Sequence, residues 1–208
     1  MRPELEFFST VGKLKDVVRT GWQIYQIKDP EKVTCHSHRL ALMSYYYAKK
    51  LGLDENKAMK IAIIHDIPEA LAGDVPINLE KKPKEYPHKG VTTEQKHEKE
   101  VDALENMISH LPQEDAQDIR ETWEEYTYKK SPEAKLVKEL DKLELALQAL
   151  DYAREKRGPY ELDEFLGQGM KSRITIPELA ELFNEIQQEY KKVKANGNFQ
   201  TFLEDGNS

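Results

Sequence analysis

An all-α domain of roughly six to eight helices is predicted by three features of this chain. Long segments carry apolar residues at i, i+3, i+4 and i+7, the period of one helix face. No segment alternates convincingly between apolar and polar residues, as a half-buried strand would. Helix start and stop chemistry brackets the apolar segments, with Ser131-Pro132-Glu133 at one start and Gly158-Pro159 at one end. With 208 residues, 38% hydrophobic and 33% charged, the expectation is one charge-rich helical core. It is assigned to residues 1–195, with a flexible tail over 196–208.

The elements follow in order. Residues 4–19 read as a first helix with Leu5, Phe8 and Leu14 inward and Gly21 as its stop. Lys28-Asp29-Pro30-Glu31 is turn chemistry. A second helix starts near Thr34 and closes at Gly52, its stripe formed by His36, Leu40, Met43, Tyr47 and Leu51. His36 begins that stripe, and His38 points roughly 200° away from it. Asp54 or Glu55 opens the central helix, whose Ala58, Ile61, Ala62 and His65 share one buried line.

Beyond it, Val75–Gly90 holds Pro76, Pro83 and Pro87 among lysines, a surface loop long enough to act as lid or rim. Thr92–His110 is a charged helix with Val101, Leu104 and Ile108 inward, and Pro112 breaks it. Glu114–Tyr128 follows, bearing Trp123 and Tyr126. The helix from Ser131 to about Lys156 has the stripe Leu136, Leu140, Leu143, Leu147 and Leu150, with Asp141 beside it. A last helix runs from Pro177 to about Lys194.

Composition narrows the function. The net charge of −7 supplies no general basic field, which argues against duplex DNA or an anionic membrane as partner. A single cysteine, Cys35, excludes an internal disulfide and fits a reducing compartment. No apolar run approaches the length of a membrane span, and the acidic opening Met-Arg-Pro-Glu-Leu-Glu is not a secretory signal. The expected location is the cytoplasm.

The chemistry concentrates in Ile61–Asp74. On an ideal helix Glu69 lies about 40° from His65 and about 60° from Asp66, one turn further along, and Asp74 follows after Gly73. Burying such groups unpaired is costly, so they must hold a metal, each other or a substrate. His36, the His65-Asp66 pair and Asp141 come from three helices, at or beside the apolar face. Two imidazoles and two carboxylates suit one divalent ion: Mn, Co, Fe, Zn or, less tightly, Mg. Taken singly, an inward histidine is more often a satisfied core residue, and an aspartate at a stripe edge is more often solvated.

The ordered set His36…His65-Asp66…Asp141 resembles the H…HD…D signature of the HD-domain metal phosphohydrolases, and within them the 5′-deoxynucleotidases. The likeness runs from Leu14 to about Gly158. It includes Arg19-Thr20-Gly21-Trp22, Glu31-x-Val33 ahead of His36, His65-Asp66-x-Pro68-Glu69-Ala70 with Gly73-Asp74, Trp123-Glu124-Glu125-Tyr126, and the Ser131–Glu144 stretch. The resemblance implies that His36, His65, Asp66 and Asp141 bind the ion and that Glu69 is the general acid/base. It implies that Asp74 orients sugar or water, Arg19 meets the phosphate, and Trp22 packs on the nucleoside against a 2′-hydroxyl. The implied substrate is a deoxynucleoside monophosphate, and the implied assembly a homodimer.

One departure is Cys35, where relatives carry an acid before the first ligand histidine. The expectation is a small buried thiol there, with His38 exposed. His88, His97 and His110 are read as solvated, residues 94–105 as a solvated charged face, and Trp123 as core. Of Tyr45, Tyr46 and Tyr47, one ring is expected in the core and the others at a subunit contact. Two rivals stand beside the deoxynucleotidase reading. One is an HD phosphohydrolase acting on another phosphoester, such as an alarmone, against which Ala70 counts because alarmone hydrolases carry a second acid there. The other is a helical regulatory module that binds metal without turnover.

Overall fold

The computed structural model describes residues 2–76 and 90–200, and among them the regular structure is helical. Isolated β bridges join Val18 with Lys32 and Tyr160 with Gln200 among the described residues. No helix among the described residues is long and apolar enough to cross a membrane. Two compact units divide the chain: residues 2–20, 31–76 and 90–138 form the first, and residues 21–30 and 139–200 the second.

The chain opens with α1 (Pro3–Val11) and a 3₁₀ turn (Gly12–Lys15). Phe7 and Leu14 are buried here, whereas Leu5 and Phe8 are exposed, which corrects the expected inward face. Phe7, Val11 and Leu14 are spaced 4 and 3, so they form the tighter stripe, and the α-helix stops at Val11 rather than near Arg19. Gly21 is not a stop either, because it lies inside the short α2 (Thr20–Ile24).

Next come α3 (Val33–Lys50) and α4 (Glu55–Ile64). Gly52 ends the α3 corner at φ +70°, a conformation that favours glycine, and Asp54 caps α4 by accepting the Lys57 N–H at 3.0 Å. The buried line of α3 is Val33, His36, Leu40, Ala41, Ser44 and Ala48. Small Ser44 and Ala48 take the places expected for Met43 and Tyr47 and let α4 pack closely. None of the three adjacent tyrosines is therefore core: Tyr45 and Tyr46 are exposed and Tyr47 is half-buried.

A short α5 (Glu69–Ala72) follows. The loop expected over 75–90 falls, from residue 77 to 89, outside the described residues, and His88 with it. Then α6 (Thr93–Ile108) starts on a reciprocal capping box between Thr92 and Gln95, and α7 (Gln113–Thr127) starts after Pro112. Phe7, Leu14, Val33, Ile67, Leu104, Met107, Ile108 and Trp123 share the core of the first unit.

The 24-residue α8 (Pro132–Glu155) runs through both units. Leu136, Leu140, Leu143 and Leu150 are buried as expected, and Leu147 is half-buried. The second unit adds two four-residue helices not anticipated from periodicity, α9 (Asp163–Leu166) and α10 (Gln168–Lys171), and ends in α11 (Pro177–Ala195). Gln200 is tied to the segment after α8, accepting the Glu161 N–H at 2.9 Å and donating to the Pro159 carbonyl at 2.7 Å. Residues 201–208 of the expected tail lie outside the described residues.

Glu139 is the cap of α11, supplied from α8. Its carboxylate accepts the N–H groups of Thr175 at 2.8 Å and Ile176 at 2.9 Å, and the Thr175 hydroxyl at 2.6 Å. Glu139→Ala should therefore cost about 1–2 kcal/mol. Thermal denaturation should show a melting point lower by a few degrees, about 2–4 °C per kcal/mol for a chain this size.

Candidate metal centre

Local chain chemistry brings the site together within the first unit. Pro68 has no N–H to give to Ile64, so α4 cannot run on. The chain instead descends through i→i−3 bonds: Ile67 to Ile64 at 3.2 Å, Glu69 to Asp66 at 3.0 Å and Ala70 to Ile67 at 3.1 Å. The ideal-helix placement of Glu69 one turn beyond His65 and Asp66 is thus corrected. In this tighter geometry residues three apart eclipse, which places Asp66 and Glu69 on one side.

Gly73, at φ +74°, then turns the chain so that Asp74 meets Thr20. Asp74 Oδ2 accepts the Thr20 N–H at 2.8 Å, and the Thr20 hydroxyl donates to the Asp74 carbonyl. On the far side of this corner Arg19 N–H bonds the Glu31 carbonyl at 3.1 Å and Val33 N–H the Val17 carbonyl at 2.9 Å. Arg19 is thereby delivered to the start of α3, whose first residue, Val33, precedes His36 by three positions.

His36 and His65 are 0% and 4% exposed, with ring centroids 5.4 Å apart. One ligand atom from each and one from Asp66 lie within 4.8 Å of one another. Asp66 Oδ2 is 2.9 Å from His65 Nε2, 3.8 Å from His36 Nε2 and 3.3 Å from Arg19 Nη1. The Arg19 guanidinium also stands 3.9 Å from Asp74 Oδ2. Burial would raise the Asp66 carboxyl, but His65, Arg19 and His36 overcome it and hold the group well below the usual carboxylate range.

The tautomer of His65 decides what the centre is for. Its Nδ1 is 2.7 Å from the Ala62 carbonyl, an acceptor only, so Nδ1 carries the proton. Nε2 then presents a lone pair, buried and without a hydrogen-bond partner, 2.9 Å from a carboxylate oxygen. At that distance the two atoms share either a proton on Nε2, as an imidazolium–carboxylate pair, or a metal cation that takes the proton's place. Imidazole nitrogen with carboxylate oxygen is a donor set for Zn, Mn, Co or Fe, so these residues fit a divalent ion.

Glu69 is 1% exposed. One oxygen lies 3.4 Å from Lys96 Nζ, and the other, Oε2, is buried without a hydrogen-bond partner. Burial, reinforced by Asp66 and Asp74, pushes this carboxyl well above its ordinary value, against the opposing pull of Lys96 and Arg19. A carboxyl raised in this way is suited to giving up a proton to a leaving group.

Of the remaining expected residues, Asp141 belongs to the second unit, buried on α8 with Oδ2 2.8 Å from Lys142 Nζ. Trp22, also in the second unit, is 1% exposed. Its ring packs edge-on to Tyr152 at 5.2 Å and tilted on Phe165 at 4.3 Å. Cys35 is exposed rather than buried, because it sits one position off the His36 line; His38 is exposed as expected.

Sequence reading passed over Lys96, taken as part of a solvated face, and Tyr126 as a neighbour of the site. Tyr126 meets His65 edge-on at 4.9 Å, with Lys138 Nζ 3.5 Å from its own ring centre. His97 is half-buried, stacked on Trp123 at 5.7 Å. Nothing in their spacing distinguished these residues from surface ones.

The model of the HD domain family matches residues 11–193. The 5′-deoxynucleotidase HDDC2 of Danio rerio is 34% identical to this chain over 197 residues, covering 95% of it and 92% of that protein. The Homo sapiens protein of the same name is 32% identical over 188 residues, 90% of this chain and 86% of that one. A crystal structure from Pyrococcus horikoshii OT3 is similar with a TM-score of 0.67 and 29% identity, over 91% of this chain and 99% of that one.

Proposed function

The chain belongs to the HD-domain family of metal-dependent phosphohydrolases, and from that premise we propose that it is a 5′-deoxynucleotidase, removing the 5′-phosphate of deoxynucleoside monophosphates. The observation that carries the proposal is the His65 lone pair facing the Asp66 carboxylate at 2.9 Å, beside a buried carboxyl at Glu69. The naming of relatives as 5′-deoxynucleotidases supports the substrate class.

In this reading His36, His65 and Asp66 hold one divalent ion. When bound, the ion supplies Lewis-acid polarisation of the phosphoryl group and makes water nucleophilic near neutral pH. Arg19 grips the non-bridging phosphate oxygens through charge-assisted hydrogen bonds. Glu69 gives its proton to the departing O5′. Asp74, through its bonds to Thr20, holds the Arg19 corner in place and orients the sugar or water. Trp22 acts through its packing on Tyr152 and Phe165 rather than through an open ring face.

The test is phosphate release from a panel of deoxy- and ribonucleoside 5′-monophosphates, with Mn or Co and again with chelator. Release from the deoxy series that chelator abolishes is expected; no phosphate from any member, with metal-loaded protein, defeats the proposal. His38→Ala, on an exposed position, should keep most of the activity. A homodimer is part of the same reading, and exposed Leu42, Tyr45, Tyr46 and Ile63 offer apolar surface for it. Sedimentation should give twice the monomer mass.

A further inference from the structure

Lys96 stands in a place where local helix physics argues against it. It occupies the first turns of α6, where the helix dipole disfavours a cation. Its acidic neighbour Glu100 lies C-terminal to it at i+4, the weaker order for such a pair. Yet its side chain is only 21% exposed, with Nζ 3.4 Å from Glu69 Oε1 and 3.3 Å from Glu100 Oε1. The acids of the site account for this. Glu69, Asp66 and Asp74 belong to the segment facing α6, and Glu100 comes from α6 itself.

We propose that Lys96 is a positioning residue for Glu69, holding Oε1 so that Oε2 faces the leaving oxygen and receiving the charge left after proton transfer. The inference rests on the phosphohydrolase reading above. As water oxygen bonds to phosphorus, the P–O5′ bond breaks and its electron pair stays on O5′. Glu69 Oε2–H passes its proton to O5′, leaving a carboxylate against the Lys96 ammonium, and the proton released by the attacking water restores the acid. The pairing is thus stronger after transfer than before it, which lowers the barrier rather than tightening substrate binding. Lys96 touches Glu69 and Glu100, and its effect on phosphorus chemistry passes through Glu69.

The measurement uses full-length, metal-loaded protein and two substrates: the deoxynucleoside monophosphate that the panel ranks first, and its analogue with sulfur in place of the bridging O5′. A thiolate departs with far less need of a proton. Lys96→Met should lower kcat on the oxygen substrate about 10- to 100-fold with KM within about threefold. On the sulfur analogue its kcat should stay close to wild type, and Lys96→Arg should recover most of the loss. Equal losses on both substrates would mean a phosphate contact or a damaged fold, and would overturn the proposal. So would an unchanged kcat in Lys96→Met. If the wild type releases phosphate but Lys96→Met matches it, Lys96 alone is misassigned. If the wild type releases none, the functional reading fails first.

Discussion

Asp66→Ala should reduce phosphate release by about 10³-fold or more and abolish the metal-induced rise in melting temperature. The carboxylate is the common partner of the centre: one oxygen lies within 4 Å of His65, His36 and Arg19 together. Removing it takes the anionic co-ligand from the two imidazoles and one acidic partner from the half-buried Arg19 guanidinium. Asp66→Asn keeps the shape and should fail almost as completely, because the amide oxygen is a far weaker donor to a divalent ion.

The same carboxyl also predicts an acid response of the metal-free protein. Its folded pKa lies below the unfolded value of about 3.9. Its contribution to stability is therefore complete above that value and is lost as pH falls toward the folded one. Against Asp66→Asn, wild type should lose stability more steeply on acidification below about pH 4. Parallel acid titrations of the two proteins, followed by circular dichroism, would show otherwise if the Arg19 and histidine contacts were weak.

Much of the helical layout was legible because helix periodicity and capping are local. His36 and His65 fall on lines whose burial depends only on their spacing from Leu40 and from Ala58, Ile61 and Ala62, and those lines are buried. Ser131-Pro132-Glu133 and Gly52 acted through short-range backbone chemistry and did so as expected. What was illegible depended on tertiary partners. Phe7 and Phe8 are adjacent and equally apolar, and only the 3₁₀ turn after Val11 makes Phe7 the inward one. Lys96 sits among charged residues on an exposed-looking helix, and nothing near it in sequence announces Glu69, 27 positions away. The tautomer of His65, on which the metal argument turns, depends on a backbone carbonyl that any residue at position 62 would have provided.

Glu69→Gln is the variant in which activity and stability should move in opposite directions. Its amide cannot donate a carboxylic proton, so kcat should fall about 10²- to 10⁴-fold with KM little changed. Metal content should persist, since His36, His65 and Asp66 are untouched. Stability should respond through burial. The folded pKa of Glu69 is raised, so the proton-bearing form is the one the fold favours. Stability is then greatest below the unfolded value of about 4.3 and declines as pH rises through the folded pKa. Glutamine cannot ionise and escapes that decline. Metal-free Glu69→Gln should therefore gain on wild type as pH is raised, its melting point overtaking toward neutral and alkaline pH. A wild-type melting curve that keeps pace with the variant across that range would show that Lys96 and Arg19 fully compensate the buried charge. Glu69 would then enter the reaction as a carboxylate base rather than as the acid.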